Sequence, residues 1–192
     1  MAENARAFVA VAVAPAAVEE IRKFQAALRE KIPSKDVRWM HPGQFHVTMK
    51  FLGDIVRDRL GELEFAVQRG CKGIAPFTLR LDGAGCFPDA IRPRVMWVGI
   101  GGALDSLKKL HAQIDNETTG YGDHEEAREF HPHLTIGRVK AQGAGARQVR
   151  EAMDATALGA APEWKVKEVV LMQSQLSAEG SVYSPLATVR LE

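Results

Sequence analysis

A histidine, an apolar residue, a threonine and a second apolar residue follow one another twice in this chain, as His46-Val47-Thr48-Met49 and His133-Leu134-Thr135-Ile136. With six histidines in 192 residues, composition alone predicts roughly 0.2 His-x-Thr triplets, so two such motifs with apolar spacers are hard to ascribe to accident. In a strand, residues i and i+2 share a face. His46 and Thr48 therefore project to one side while Val47 and Met49 pack on the other, and His133, Thr135, Leu134 and Ile136 repeat the arrangement. Two imidazoles that titrate near neutrality can divide a proton transfer, one as general base and one as general acid. Two hydroxyls can donate to the non-bridging oxygens of a phosphoryl group held between them. The pattern suits metal-free in-line displacement at a phosphodiester. Acyl transfer suits it less, because no serine or cysteine nucleophile with its base stands out.

The elements that must hold these motifs are legible from periodicity. Phe8 to Val13 is apolar throughout and predicts a strand buried on both faces. Pro15 opens a helix over Ala16 to Lys31, with Val18, Ile21, Phe24, Gln25 and Leu28 on its inner face, and Pro33 stops it. An extended piece at Val37 to Met40 leads to the first motif strand, Gln44 to Phe51, which Gly53-Asp54 should end. A helix over Asp58 to Arg69 and a strand over Phe77 to Leu81 follow, with a glycine-rich turn at Gly83 to Gly85. The second half reads as a strand from Arg94, a helix from Leu104 to Asn116, the motif strand His133 to Val139, a helix near Arg147 to Ala155 and a strand from Trp164 to Met172. The tail reads as a strand, a turn at Glu179-Gly180 and a closing strand from Val182 to Leu191.

Phe8 precedes His46 by 38 positions and Val95 precedes His133 by the same 38, so one offset of 87 lays the second half on the first. This predicts one bilobal domain over residues 1–192, made by internal duplication, with two like lobes facing each other across a groove lined by one motif strand from each. It is not a solenoid, which needs shorter periods and more copies.

The bulk numbers narrow the setting. A chain that is 46% apolar and 26% charged can bury a proper core. A formal charge of +1 does not suit a protein that coats long nucleic acid, so any nucleic-acid ligand should be short. Cys71 and Cys86 make neither a disulfide framework nor a Cys-x-x-Cys motif, which predicts a reducing, cytoplasmic compartment. The apolar run at Ala7 to Val18 lacks a basic leader and is too short to span a bilayer.

The paired motifs at this separation resemble those of the two-histidine (2H) phosphoesterase superfamily. Within it, "RWMHPGQFHVTMKFLGD", "RPRVMWVGI", "FHPHLTIGRVK" and "LMQSQLSAEGSVYSPL" are similar to the RNA 2′,3′-cyclic phosphodiesterases, historically called 2′-5′ RNA ligases, and the similarity runs from Phe8 to about Leu191. The resemblance implies an α+β fold of two pseudo-symmetric lobes, each an antiparallel sheet with helices outside, and a central groove carrying the motif strands. It implies hydrolysis of an RNA 2′,3′-cyclic phosphate to a 2′-phosphate, with His46 as acid for the leaving 3′-oxygen, His133 as base for water, and Thr48 and Thr135 on the phosphate. With a 5′-hydroxyl in place of water the same site would reversibly join a cyclic end to that hydroxyl, giving a 2′-5′ linkage. The implied partners are RNA 3′ ends or small cyclic nucleotides, with no cofactor and no membrane, and a monomer is expected. Two departures concern nucleotide preference: Gln173 and Gln175 flank Ser174 where the family has arginine or glutamate, and His41 replaces a small residue or proline.

Four further residues are candidate ligand contacts. Arg138 suits a phosphate, although plain alternation puts it opposite His133; Lys50 shares a face with His46 by the same alternation. Phe87 and Tyr183 suit stacking on a base or ribose, against core packing as the alternative. Arg92 and Arg94 are placed either along the groove or in a solvated loop. His131-Pro132-His133 with His41 and His46 forms the only combination that suggests a metal-dependent phosphoesterase, and no carboxylate lies at a supporting spacing. His111 and His124 are expected at the surface, and Gly99-x-Gly101-Gly102 lacks the full dinucleotide fingerprint and should simply end a strand. A non-catalytic module that binds a nucleotide or RNA end is the other alternative.

Overall fold

In this computed structural model, residues 3–121, 129–160, 162–177 and 180–192 are described. His124 and the Glu179 half of the expected tail turn lie outside them. The strands are β1 (Asn4–Ala12), β2 (Val37–Trp39), β3 (His46–Val56), β4 (Phe77–Phe87), β5 (Val95–Gly102), β6 (His133–Val139), β7 (Trp164–Val166), β8 (Glu168–Ser177) and β9 (Gly180–Arg190). The helices are α1 (Pro15–Lys31), α2 (Leu60–Cys71), α3 (Leu104–Glu117) and α4 (Ala144–Asp154).

Two antiparallel sheets result, in the orders β3-β1-β8-β9 and β2-β6-β5-β4-β7. Neither sheet comes from one half of the chain: β4 leaves the first half to pair with β5, and β8 leaves the second half to pair with β1. The helices cross over as well. On α1, Gln25 donates to the carbonyls of Met40 and Ile136 beside the second sheet, whereas on α3 Asp115 holds Lys50 of the first. The lobes are therefore interlocked, and no cut in the chain yields one of them whole.

Three local expectations need correction. Gly53 does not end its strand: at φ 72° it absorbs an irregularity and β3 runs on to Val56 beside β1. The glycines at 83–85 likewise make a bulge inside β4, because Gly85 to Phe87 resume pairing with Val95 to Trp97. The single strand expected from Trp164 to Met172 is two, broken at Lys167, with β7 joining the second sheet and β8 the first.

The motif strands are anchored through their apolar spacers. Val47 and Leu134 are fully buried, with Met49 and Ile136 beside them in the core, and burying a side chain of this size contributes about 1.5–3 kcal/mol. Phe8 to Val11 are buried on both faces of β1, as their unbroken apolarity predicts. No helix among the described residues is long and apolar enough to cross a membrane.

Candidate active site

Each motif strand carries a β-bulge one residue after its threonine. In β3, Thr48 pairs with Ala10 and Lys50 with Val9, leaving Met49 extra. In β6, Thr135 pairs with Trp97 and Gly137 with Met96, leaving Ile136 extra. A bulge places two residues opposite one, so the alternation of faces reverses beyond it. The burial of the seven residues from His46 and of the seven from His133 then follows the same order: half-buried, buried, half-buried, buried, buried, exposed, buried.

The reversal redirects two candidates. Lys50 pairs with Val9 on the core side, where its Nζ lies 2.7 Å from Asp115 Oδ1 and donates to the Asp115 carbonyl at 3.0 Å. It does not share the face of His46, contrary to simple alternation. Arg138, expected opposite His133, instead returns to the face of His133 and Thr135 and is exposed there. Phe51, which the sequence reading passed over, takes the equivalent place beyond Thr48; it is 51% exposed and its ring centroid is 5.9 Å from Phe8.

The two histidines are held alike. Nδ1 of His46 donates to the Gln44 carbonyl at 2.8 Å, and Nδ1 of His133 donates to the His131 carbonyl at 2.7 Å. A carbonyl oxygen only accepts, so in both rings it is Nδ1 that carries the hydrogen. Each ring also meets one aromatic edge to face, His46 against Tyr183 at 5.3 Å and His133 against Phe87 at 5.0 Å, both at 83°. Phe8 completes the bed under His46 at 4.8 Å. The rings of Tyr183 and Phe87 thus pack against the histidines, and Phe87 also lines the cavity described below.

The loop before His46 explains the first of these hydrogen bonds. His41 Nδ1 accepts from the Gly43 amide, the His41 amide donates to Gln44 Oε1 at 2.7 Å, and together they fold Pro42 to Gln44 into a capped single turn. Gln44 Nε2 donates to Ser181 O at 2.6 Å, tying this turn to β9. Gln44 is thus a positioning residue. Its signal in the sequence was only its place two residues before the histidine.

Burial is the main influence on His46. It pushes the imidazole down from 6.5 to about 4, the Gln44 carbonyl opposes this, and the charge of His133 adds to it. β3 and β6 touch across the two sheets, so the imidazoles share one electrostatic environment.

A cavity of about 300 Å³ opens on the His133 side, with Phe87, Trp97, His131, Asp82 and Lys108 among its lining residues. Trp97, also absent from the candidate residues, pairs with Thr135 and lies flat against Gly85, where a Cβ would come within 2.5 Å of its ring. Gly99 and Gly101 sit within β5, where they admit Asp82, and Gly102 ends the strand. Arg92 and Arg94 are exposed between β4 and β5. His111 is not at the surface as expected but half-buried, stacked on Phe130 at 3.9 Å. Among the described residues, no group of three or more histidine, cysteine, aspartate or glutamate side chains is arranged to hold a metal.

Comparison with known proteins gives a consistent set of likenesses. The family model of the 2′-5′ RNA ligase superfamily matches residues 46–177. A protein of Methanothermobacter thermautotrophicus named RNA 2′,3′-cyclic phosphodiesterase is 31% identical over 189 residues, covering 97% of this chain and 98% of its own. A Thermus thermophilus crystal structure superposes with a TM-score of 0.78 at 26% identity, covering 97% of each chain. Escherichia coli LigT, crystallised with ATP, superposes with a TM-score of 0.71 at 25% identity, covering 98% of each.

Proposed function

The chain belongs to the 2′-5′ RNA ligase superfamily, and on that premise we propose that it is an RNA 2′,3′-cyclic phosphodiesterase that turns cyclic ends into 2′-phosphates without a metal. The observation that carries this reading is the matched pair of imidazoles, each with Nδ1 tied to a carbonyl two residues upstream and a threonine two residues downstream on the same face.

In this reading the cyclic phosphate lies between Nε2 of the two rings, and Thr48 and Thr135 donate to its non-bridging oxygens. His133 takes a proton from water, the water oxygen bonds to phosphorus, the bond from phosphorus to the 3′-oxygen breaks, and His46 delivers a proton to that oxygen. Burial keeps His46 neutral in the ligand-free groove, so its acid role requires the anionic phosphodiester to restore the proton. An opposite charge within a few ångströms does this by favouring imidazolium. Ligation would follow the same course with a 5′-hydroxyl in place of water, its oxygen bonding to phosphorus as the 3′-oxygen leaves, and the cavity beside His133, with room for an incoming nucleoside, supports it.

The chain is further read as an internal duplication acting as a monomer. Bulges at Met49 and Ile136, 87 positions apart, support the first point, and the presence of both histidines in one chain supports the second. A cytoplasmic setting is read from Cys71 and Cys86, both free.

The test is to incubate the purified protein with a short RNA ending in a 2′,3′-cyclic phosphate in excess EDTA and to identify the product end by mass and chromatography. A 2′-phosphate that is absent with His46→Ala and with His133→Ala is expected. Turnover that EDTA abolishes would favour the metal-dependent alternative, and binding without turnover the non-catalytic one.

A further inference from the structure

Among the buried residues of α1, Gln25 alone is polar; Ala17, Ile21, Phe24 and Leu28 make up the rest. At 4% exposure an amide costs free energy unless it is hydrogen-bonded. Its Nε2 carries two hydrogens, and both are used. One goes to the Met40 carbonyl at 3.0 Å, the other to the Ile136 carbonyl at 2.8 Å, 111 positions away in the chain. An apolar side chain of the same size would continue the stripe of α1 equally well. It could not donate.

Ile136 is the residue that the β6 bulge leaves extra, between Thr135, which pairs with Trp97, and Gly137, which pairs with Met96. A bulged residue loses its place in the ladder. Here its carbonyl is taken up from the β2 side, by the Met40 amide at 3.0 Å and by Gln25, which occupies both lone pairs of that oxygen. The peptide leaving the bulge cannot turn without breaking both bonds, and a bulge re-aims the side chains beside it, here Thr135. The other bond of Gln25 leads toward the first motif. Met40 stands directly before His41, where the capped turn begins that ends in Gln44 and orients His46.

We propose that Gln25 is a positioning residue for catalysis, holding the Ile136 bulge and through it the Thr135 hydroxyl at the phosphate. This rests on the proposed reading, in which Thr135 donates to a non-bridging oxygen. The amide of Gln25 is spent on two carbonyls, so it acts through Thr135 and not on the substrate.

The experiment is a pair of double-mutant cycles on a nucleoside 2′,3′-cyclic phosphate, combining Gln25→Met with Thr135→Val and with Thr48→Val. Gln25→Met alone should lower kcat about tenfold and leave KM within about twofold. Added to Thr135→Val it should cost nothing further, because the hydroxyl it places is gone; added to Thr48→Val it should cost its full tenfold. Full tenfold losses in both cycles, or no loss in the single variant well below its melting temperature, overturn the proposal. Should Gln25→Met fail to fold, Gln25→Glu carries the test. Its buried carboxyl donates one hydrogen while protonated and none once ionised, so its kcat relative to the wild type should fall as pH rises; a constant ratio in folded protein overturns the proposal. Should the wild type turn over no cyclic phosphate, the proposed activity fails, and amide hydrogen exchange decides this inference separately. In Gln25→Met the Met40 amide, which shares the Ile136 carbonyl, should exchange about tenfold faster relative to the buried amides of β1. An unchanged ratio overturns it.

Discussion

The ammonium of Lys50 sits 2.7 Å from Oδ1 of Asp115, on the core side of the strand that presents His46 to the groove. Lys50 is 7% exposed. A buried cation that loses its partner is costly, whereas a neutral replacement of similar volume is tolerated. Asp115→Ala should therefore destabilise by about 1–3 kcal/mol, the range discounted because the carboxylate is partly solvated, and Lys50→Met by less. Neither should change KM for a cyclic phosphate. Urea denaturation with steady-state kinetics checks both points, and a large rise in KM for Lys50→Met at unchanged stability would return Lys50 to the groove.

The two histidines should be separable by leaving group. His46→Ala and His133→Ala should each lower kcat by about 10²–10⁴ with unchanged circular dichroism. A cyclic end whose 3′-oxygen is replaced by sulfur departs without protonation. It should restore turnover to His46→Ala and leave His133→Ala inactive; the opposite pattern would exchange their roles.

Thr48→Val and Thr135→Val keep the shape of the side chain and remove the donor. Each should reduce kcat about 10²-fold, in line with loss of one preorganised donor to a developing oxyanion, with KM little altered. A change confined to KM would mean that the hydroxyls hold the ground state and the transition state equally.

Stability should fall in acid because of His46. Its folded value of about 4 lies below its ordinary 6.5, so between these the unfolded chain binds a proton that the folded chain does not. The contribution is complete above pH 6.5 and is lost as pH falls toward 4. The full shift corresponds to at most about 3 kcal/mol, reduced by solvent screening at the half-buried ring. Denaturation from pH 7 to pH 4 should show this slope, and His46→Gln should flatten it; an unchanged slope would assign it to other groups.

Gln44→Ala removes the side chain that ties the pre-motif turn to Ser181 while keeping the carbonyl that orients His46. Loosening the carbonyl should lower kcat about tenfold and shift the acidic limb of the kcat–pH profile. A lowered melting temperature without that shift would reduce Gln44 to a structural tie.

How much of this was legible in the sequence differs by level. The motif strands, their buried spacers and the helices with their 3.6-residue periodicity follow from local pattern, because which side of a regular element meets water is set by residues next to one another in the chain. That His46 shares a strand face with Thr48, and His133 with Thr135, was legible for that reason. What only the tertiary structure decided depends on neighbours far away in sequence. The bulges at Met49 and Ile136 exist only in register with β1 and β5, and they turn Lys50 inward while bringing Phe51 and Arg138 to the groove. Arg38 comes beside Arg138 only when β2 joins β6, and Trp97 finds its place because Gly85 of the adjacent strand has no side chain. The exchange of β4 and β8 between sheets is decided in the same way, since a strand's own residues specify which face is apolar and not which edge it will join.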